Sequence, residues 1–429
     1  MTKKIKIGII GGGASGMMCL ATILESQSEK KLPLEIHLFD KNPKIGVKVA
    51  ITGGGRCNVT TGVNDINVLL SKYIRGSKFL KPSLLAFPPV KVQQWIEDHG
   101  VKLKEEDDGR VFPVSDKGED VVEVFEKISK DERVFMHLEE NVLSVSMKKE
   151  KFCLTTSKTS TKKSANTYDI LVVTTGGNAY QQTGSTGDGF ELAKSLGHNI
   201  TSLCPSLNGF TTQEIWCQEL AGVNLQNVRI NFTLGSGEKK SVTGPMLFTH
   251  TGITGPAVFE LAAYIAFEKV SKENEFKIKL DPDANYNFAT LEQALLKEIS
   301  KNGLRSLVQV LMPFVPRHFA EIILTLSGTK ALIGADLTKE ERKILVHFLT
   351  GDLEITLIER TPSAEFVTAG GVNLEEVNWK TMESKLHKGL YFAGEVLNID
   401  GLTGGFNLQS AWATGRSAGN AIIQANSKN

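Results

Sequence analysis

Gly11, Gly13 and Gly16 follow at once on the β-branched run Ile5, Ile7, Ile9 and Ile10, and a helix-forming stretch opens at Ala14 and Ser15 and runs to about Leu24. A short apolar run of this kind reads as a buried parallel strand. In this spacing the first glycine permits a tight turn, the second lets the backbone approach a phosphate, and the third lets helix and strand pack closely. The free N–H groups at the helix start then point at an anion. Glycine-rich turns are common, so the discriminating feature is an acidic residue closing the next strand. LEIHLFD ends in Asp40, at the distance past the turn expected of a ribose ligand. Asp40 would accept hydrogen bonds from ribose hydroxyls and repel a 2′-phosphate, which favours FAD or NAD over NADP; Lys41 beside it is counted with the cofactor-binding candidates. The plain alternative is a glycine turn beside a surface aspartate.

Three further stretches have the same character. GVKVAITGGGRCNVTTG, residues 46–62, brings Lys48, Thr52, Gly53, Gly54, Arg56, Cys57 and Asn58 together. Its backbone N–H groups and the Arg56 guanidinium suit a phosphate or a flavin ring, although by composition alone it is equally a flexible surface loop. A thiol–disulfide pair needs a second cysteine close by, and the nearest to Cys57 in sequence are Cys19 and Cys153, which leaves a packed or flavin-contacting thiol. The strand YDILVV leads into Thr175, Gly176 and Gly177, where small residues let chain and cofactor come close. Near the end, YFAGEVLNIDG is a buried strand running into Gly394 and Glu395, and Gly404, Gly405, Phe406 and Asn407 open a last helix. The positive end of that helix would sit beside a flavin's pyrimidine edge and support an anionic reduced ring, by about 0.3–1 kcal/mol at an exposed site. An ordinary closing helix is the plainer reading.

Composition sets the outer bounds. A chain of 429 residues exceeds one ordinary domain, so two or three folding units are expected. Its 49 basic and 48 acidic residues leave no global field to attract nucleic acid or an anionic membrane, so neither is expected as a partner. Cys19, Cys57, Cys153, Cys204 and Cys217 lack paired spacing, which suits a reducing cytoplasm and argues against disulfides or a zinc site. Lys3, Lys4 and Lys6 before an apolar run imitate a signal peptide, but that run carries the phosphate-binding glycines. No apolar stretch of about 20 residues predicts a membrane span.

ITGGGRCNVT, GRVFPVSDKGEDVV, TTGGNAYQQTGSTGDGFELAKSLGH, FTHTGITGPAVFEL and FAGEVLNIDGLTGGFNLQSAWATGRSAG together resemble the bacterial flavoproteins of the aminoacetone oxidase, or BaiN-type NAD(P)/FAD-dependent oxidoreductase, family. The resemblance spans almost the whole chain. One departure is Val47 before Lys48, where the family commonly has arginine, which puts one contact in doubt. The implied fold is α/β, a Rossmann-like FAD-binding domain of the glutathione-reductase type, with FAD as cofactor. By that analogy Glu395 is a ribityl-binding carboxylate, the backbone near Val142 contacts adenine, and Arg110 and Phe112 in GRVFP wall the active site.

The elements that must position these residues follow in order. VQQWIEDHGV and EDVVEVFEKI are amphipathic helices; residues 134–173 alternate as strands with a lysine-rich, solvated tip; Asp188 caps a helix in STGDGFELAKSLG. After His198 come short apolar runs broken by glycine and proline, a small β-barrel or sheet, and then helix-period segments from 287 to 350. The expected architecture is a discontinuous FAD domain, residues 1–197 and 353–429, interrupted by a β-barrel plus helical insert at 198–352 that lids the flavin. His250, in LFTHTGITGPA, is the one candidate acid or substrate contact of the insert, against the commoner role of a lone packing histidine.

No second GxGxxG stands between a strand and a helix, and GSGEKK at 235–240 lacks the third glycine. Either a nicotinamide, NAD(P)H, docks transiently and reduces the flavin for a small-molecule substrate, as the resemblance to reductases of that family implies, or a substrate amine or alcohol does so and oxygen takes the electrons. An FAD-dependent RNA-modifying protein and a non-catalytic flavin sensor are the readings from other classes.

Overall fold

The computed structural model describes residues 4–26, 32–159, 166–362 and 365–427. Two compact units emerge, one from Met1–Pro205 with Phe366–Asn429 and the other from Ser206–Glu365.

The first unit is built on a five-stranded parallel sheet. β1 (Ile5–Ile10) lies centrally, with Ile170–Val173 and then Leu390–Phe392 on one side, and β2 (Leu34–Phe39) and then Val134–His137 on the other. β1 is buried from Ile7 onward because helices cover a parallel sheet, and Ile7, Ile9 and Ile10 supply that burial. α1 (Ala14–Glu25) returns over the sheet beside the long last helix, Gly404–Asn426. Small residues let the two helices meet: a Cβ at Gly415 would stand 2.3 Å from the Ser15 carbonyl, and one at Gly419 2.8 Å from the Thr22 Cβ. Earlier in the last helix Trp412 is fully buried, stacks on Phe125 with ring centres 5.5 Å apart, and donates its indole N–H to the Val59 carbonyl at 3.0 Å. Antiparallel strands Val142–Lys148, Lys151–Thr156 and Asn166–Tyr168 form the expected small layer; the lysine-rich tip falls mainly on 160–165, outside the described residues.

Two local expectations are corrected. Asp188 is not a helix cap: the cap is Gly187, at φ +80°, and Asp188 occupies the first turn of Asp188–Ser195, where its carboxylate takes Lys41 at 2.7 Å. Residues 46–62 are not wholly loop, since Val47–Ile51 forms a helical turn.

In the second unit the alternating runs close a six-stranded barrel, ordered Phe210–Thr212, Gly252–Thr254, Lys239–Phe248, Asn224–Thr233, Phe276–Asp281, Leu353–Arg360. Val228, Ile230 and Phe232 point inward from one strand at the period of two that a barrel wall needs. GSGEKK makes the hairpin turn between two of these strands, which excludes it as a nucleotide-binding turn. Helices Phe288–Asn302 and Lys339–His347 both start with a capping box, Asn287 with Thr290 and Thr338 with Glu341. Leu291, Phe319 and Leu345 of the helical layer join the apolar core of the barrel.

Candidate functional site

The turn from β1 to α1 is shaped by close approaches that only glycine permits. Gly11 has φ +103°, and a Cβ there would lie 2.5 Å from the Thr174 carbonyl oxygen; at Gly16 it would lie 2.0 Å from the Gly11 oxygen. Thr174 fastens the turn by donating its hydroxyl to the Ile10 and Gly11 carbonyls at 2.9 and 2.8 Å. α1 then starts at Ala14 and Ser15 with Gly13 as its cap and no side chain on its first N–H groups. A Cβ built on Gly13 would meet no protein atom within 4 Å, so the helix end faces open space. That is the geometry an anion requires.

Asp40 closes β2 as expected, and its carboxylate also organises the turn: one oxygen accepts from the Gly12 N–H and the other from the Asn42 N–H, both at 2.8 Å. Burial raises its pKa above the ordinary 3.8, opposed by those two N–H groups and by Lys41. Lys41 itself is held by Asp188 and Thr186.

The other predicted stretches converge on this end of the sheet within the same unit. A Cβ at Gly394 would lie 2.5 Å from the Ser15 hydroxyl, which puts the strand end beside α1. Glu395 accepts from Lys48 at 2.9 Å through one oxygen and from the Thr368 N–H at 2.9 Å through the other, and Lys48 also donates to the Ala179 carbonyl at 3.3 Å. Gly177 fits between Thr368 and Glu395, where a Cβ would stand 2.6 and 2.8 Å from their oxygens. Gly176 has φ +78°, and the buried Thr175 hydroxyl has no hydrogen-bond partner among the described residues. With its amide turned to satisfy both neighbours, Asn58 donates to the Thr60 carbonyl at 2.9 Å and accepts from the Gly405 N–H at 3.1 Å. The last helix therefore opens against the 46–62 stretch. Asn407 folds back on Gly401, the Phe406 carbonyl takes the Tyr73 hydroxyl at 2.8 Å, and Gly404 faces open space.

Some candidates are already engaged. Arg56 pairs with Glu106 at 2.6 Å, reaches Asp116 at 3.5 Å and covers the Phe112 ring, so an anion there competes with two carboxylates. Thr52 donates to the Val49 carbonyl, Gly53 abuts Phe112, and Gly54 is open. Cys57 is fully buried and burial pushes its thiol up to about 12, so it is neutral at ordinary pH. Val142 is buried at the start of its strand, paired with Thr156. His250 belongs to the other unit, exposed in the turn between Lys239–Phe248 and Gly252–Thr254.

Thr174, Thr368 and Ala179 were not among the sequence candidates. Thr174 stands next to Thr175 and could have been included on adjacency; Thr368 lies 27 residues from Glu395 with no local signal.

A parallel sheet with a glycine turn at its strand ends, an acid after the second strand and an open helix end defines an FAD-binding Rossmann enzyme of the oxidoreductase class. The chain belongs to the family of the HI0933-like protein Rossmann domain, which it matches over residues 5–421. It is similar to the 3-dehydro-bile acid delta(4,6)-reductase of Clostridium scindens, 27% identical over 98% of this chain and 99% of that one. It is similar too to the ribosomal RNA dihydrouridine synthases of Escherichia coli, 29% identical over 98% of both chains, and of Haemophilus influenzae, 29% over 95% of both. In fold it resembles the FrdA chain of E. coli quinol fumarate reductase, at 16% identity and TM-score 0.50, over 100% of this chain and 71% of that one. Two relatives named for RNA remove the support for excluding a nucleic acid partner on global charge balance. No helix among the described residues is long and apolar enough to cross a membrane.

The residues present fit FAD. The open end of α1 suits its pyrophosphate, Asp40 and Glu395 are carboxylates that would suit its ribose and ribityl hydroxyls, and the orphaned Thr175 hydroxyl and the open Gly404 turn leave contacts for a ligand to make.

Proposed function

We propose that this chain is an FAD-dependent reductase that saturates a carbon–carbon double bond conjugated to a carbonyl. The observation that carries the reading is full-length likeness to two kinds of relative. A bile acid with a 3-keto group and ring double bonds and a uracil base share a conjugated C=C–C=O unit, and each relative's name describes saturation of it. The bound flavin supplies hydride chemistry at its N5 atom. The chain binds and orients it: α1 holds the pyrophosphate, Lys48 holds the Glu395 carboxylate in place, and the positive end of the last helix at Gly404 favours negative charge on the ring edge.

The reading takes NADH or NADPH as the electron source, docking transiently, because the GSGEKK hairpin of the barrel supplies no second dinucleotide turn. His250 is the candidate substrate contact of the second unit. The small-molecule form of the reading takes a conjugated ketone. A uridine in ribosomal RNA is the second form, favoured by two relatives of different species at 29% identity.

The test is product analysis. The holoenzyme with NADPH or NADH, without oxygen, is offered a 3-keto steroid dienone and, separately, unmodified ribosomal RNA. Gain of two hydrogens by either supports ene reduction and assigns the form. Oxidation of an aminoketone or alcohol with hydrogen peroxide release, and no reduction of either acceptor, replaces it with an oxidase.

A further inference from the structure

Residues 66–96 carry Lys72, Arg75, Lys78, Lys81 and Lys91 and not one Asp or Glu, in a chain otherwise balanced to one charge. Elsewhere on the first unit cations are neutralised locally, as in Lys104 with Asp116, Lys151 with Asp169 and Lys194 with Glu191. Here only Arg75 is paired, with Asp400; no described carboxylate lies within ion-pair distance of the four lysines.

Helix Ser77–Ala86 arranges them. Phe79, Leu80, Ser83 and Leu84 face inward, so Lys78, Lys81 and Leu85, spaced three and four apart, form its solvent side. The Lys91 ammonium donates to the Ala86 carbonyl at 3.3 Å, which places it at the far end of the same helix. At 1.5 Å per residue, Lys78 and Ala86 lie roughly 12 Å apart. The carboxylates beside the strip have other partners: Asp65 caps the preceding helix, Asp400 holds Arg75, Glu25 takes the Trp95 indole and Arg416, and the exposed Glu97 and Asp98 at the end of the Lys91 helix accept from the Leu103 N–H and the Gln94 amide.

The strip is also tied to the candidate flavin edge. Strand Tyr73–Arg75 immediately precedes the helix and pairs with Asp400–Gly401, which leads into the Gly404–Asn407 turn; the Tyr73 hydroxyl bonds the Phe406 carbonyl. Phe79, Phe87, Tyr73 and Trp95 are buried, so the surface offers charge without rings for bases to stack on.

We propose that Lys72, Lys78, Lys81 and Lys91 form a docking surface for the phosphate backbone of an RNA substrate, holding it beside the edge where Gly404–Asn407 opens. This rests on the ribosomal RNA form of the function above. The surface grips phosphates and leaves base choice to the site.

The test compares the holoenzyme with K78E/K81E and K78R/K81R in filter binding to ribosomal RNA transcribed in vitro, over a range of salt concentrations. Both positions are exposed, and equal flavin absorbance and an equal thermal midpoint confirm intact variants. The charge-reversed variant is expected to bind more than ten-fold more weakly at low salt, with a log–log salt slope shallower by roughly 1.5, and the arginine variant to bind like the original. Unchanged binding by K78E/K81E overturns the surface, while dihydrouridine formed by the original chain keeps the RNA reading. Absence of RNA binding by the original chain overturns the surface, and with it the RNA reading if no dihydrouridine forms. Binding of phosphatidylglycerol vesicles through the same lysines, without RNA binding, also overturns it.

Discussion

Gly16 carries a tight constraint at the glycine turn. Its missing side chain is what lets α1 start against the Gly11 carbonyl, since an added Cβ would sit 2.0 Å from that oxygen and 2.7 Å from the Thr174 hydroxyl. Neither neighbour is a flexible chain end, because Thr174 is held by two carbonyls. Gly16→Ala is therefore expected to push α1 off the turn, costing about 1–3 kcal/mol of overpacking and the pyrophosphate site with it. Purification without bound flavin, beside a yellow parent protein, checks this. Asp40 yields a pH prediction. Its pKa in the free chain is raised by burial, and ribose hydroxyls donating to it would lower that value on binding. The group is thus more acidic in the complex, so flavin affinity is full above the free-chain pKa and falls as pH drops below it, toward the bound-state pKa. Titrating flavin retention should show this fall beginning above pH 3.8, and Asp40→Asn should bind weakly with a flat profile over the same range.

At the scale of elements, the part of the site made by one continuous stretch was legible with its geometry, whereas the distant stretches were legible as candidates but the contacts that join them were not. β1, its glycine turn, α1 and Asp40 are contiguous, and each has a local physical reason for its residue type. Barrel strands were legible through alternation such as Val228, Ile230 and Phe232. Asp188 misled because aspartate is a common cap, yet the chain needs a left-handed residue at that point and Gly187 supplies it. The link from Thr368 through Glu395 to Lys48 had no local sign, since Lys48 and Glu395 stand 347 residues apart. Packing of the last helix follows the same logic. Trp412 joins it to Phe125 and to the Val59 carbonyl, one residue from Asn58. Trp412→Ala should cost about 3–5 kcal/mol, seen as a lower thermal midpoint, and release flavin more readily because Asn58 and Gly405 lose their common support.

Seen whole, the chain gives its first and last stretches to one unit and sets the barrel and helices between them, so cofactor residues as far apart as Gly11 and Asn407 share a unit. Whole-chain charge was a poor guide at this scale: balanced overall, the molecule still concentrates five basic residues in 66–96. Function was legible to its class, because cofactor binding is written in backbone geometry and glycine spacing. Substrate is a property of surfaces assembled from several segments, and no single motif reports it. The central claim, ene reduction, is tested most directly by reducing the bound flavin without oxygen, mixing with an acceptor, and following the visible absorption of oxidised flavin. Its return in stoichiometric amount on adding a conjugated ketone or unmodified ribosomal RNA, with a saturated product, is the predicted result. A flavin that stays reduced with both acceptors and reoxidises only with oxygen would contradict the account.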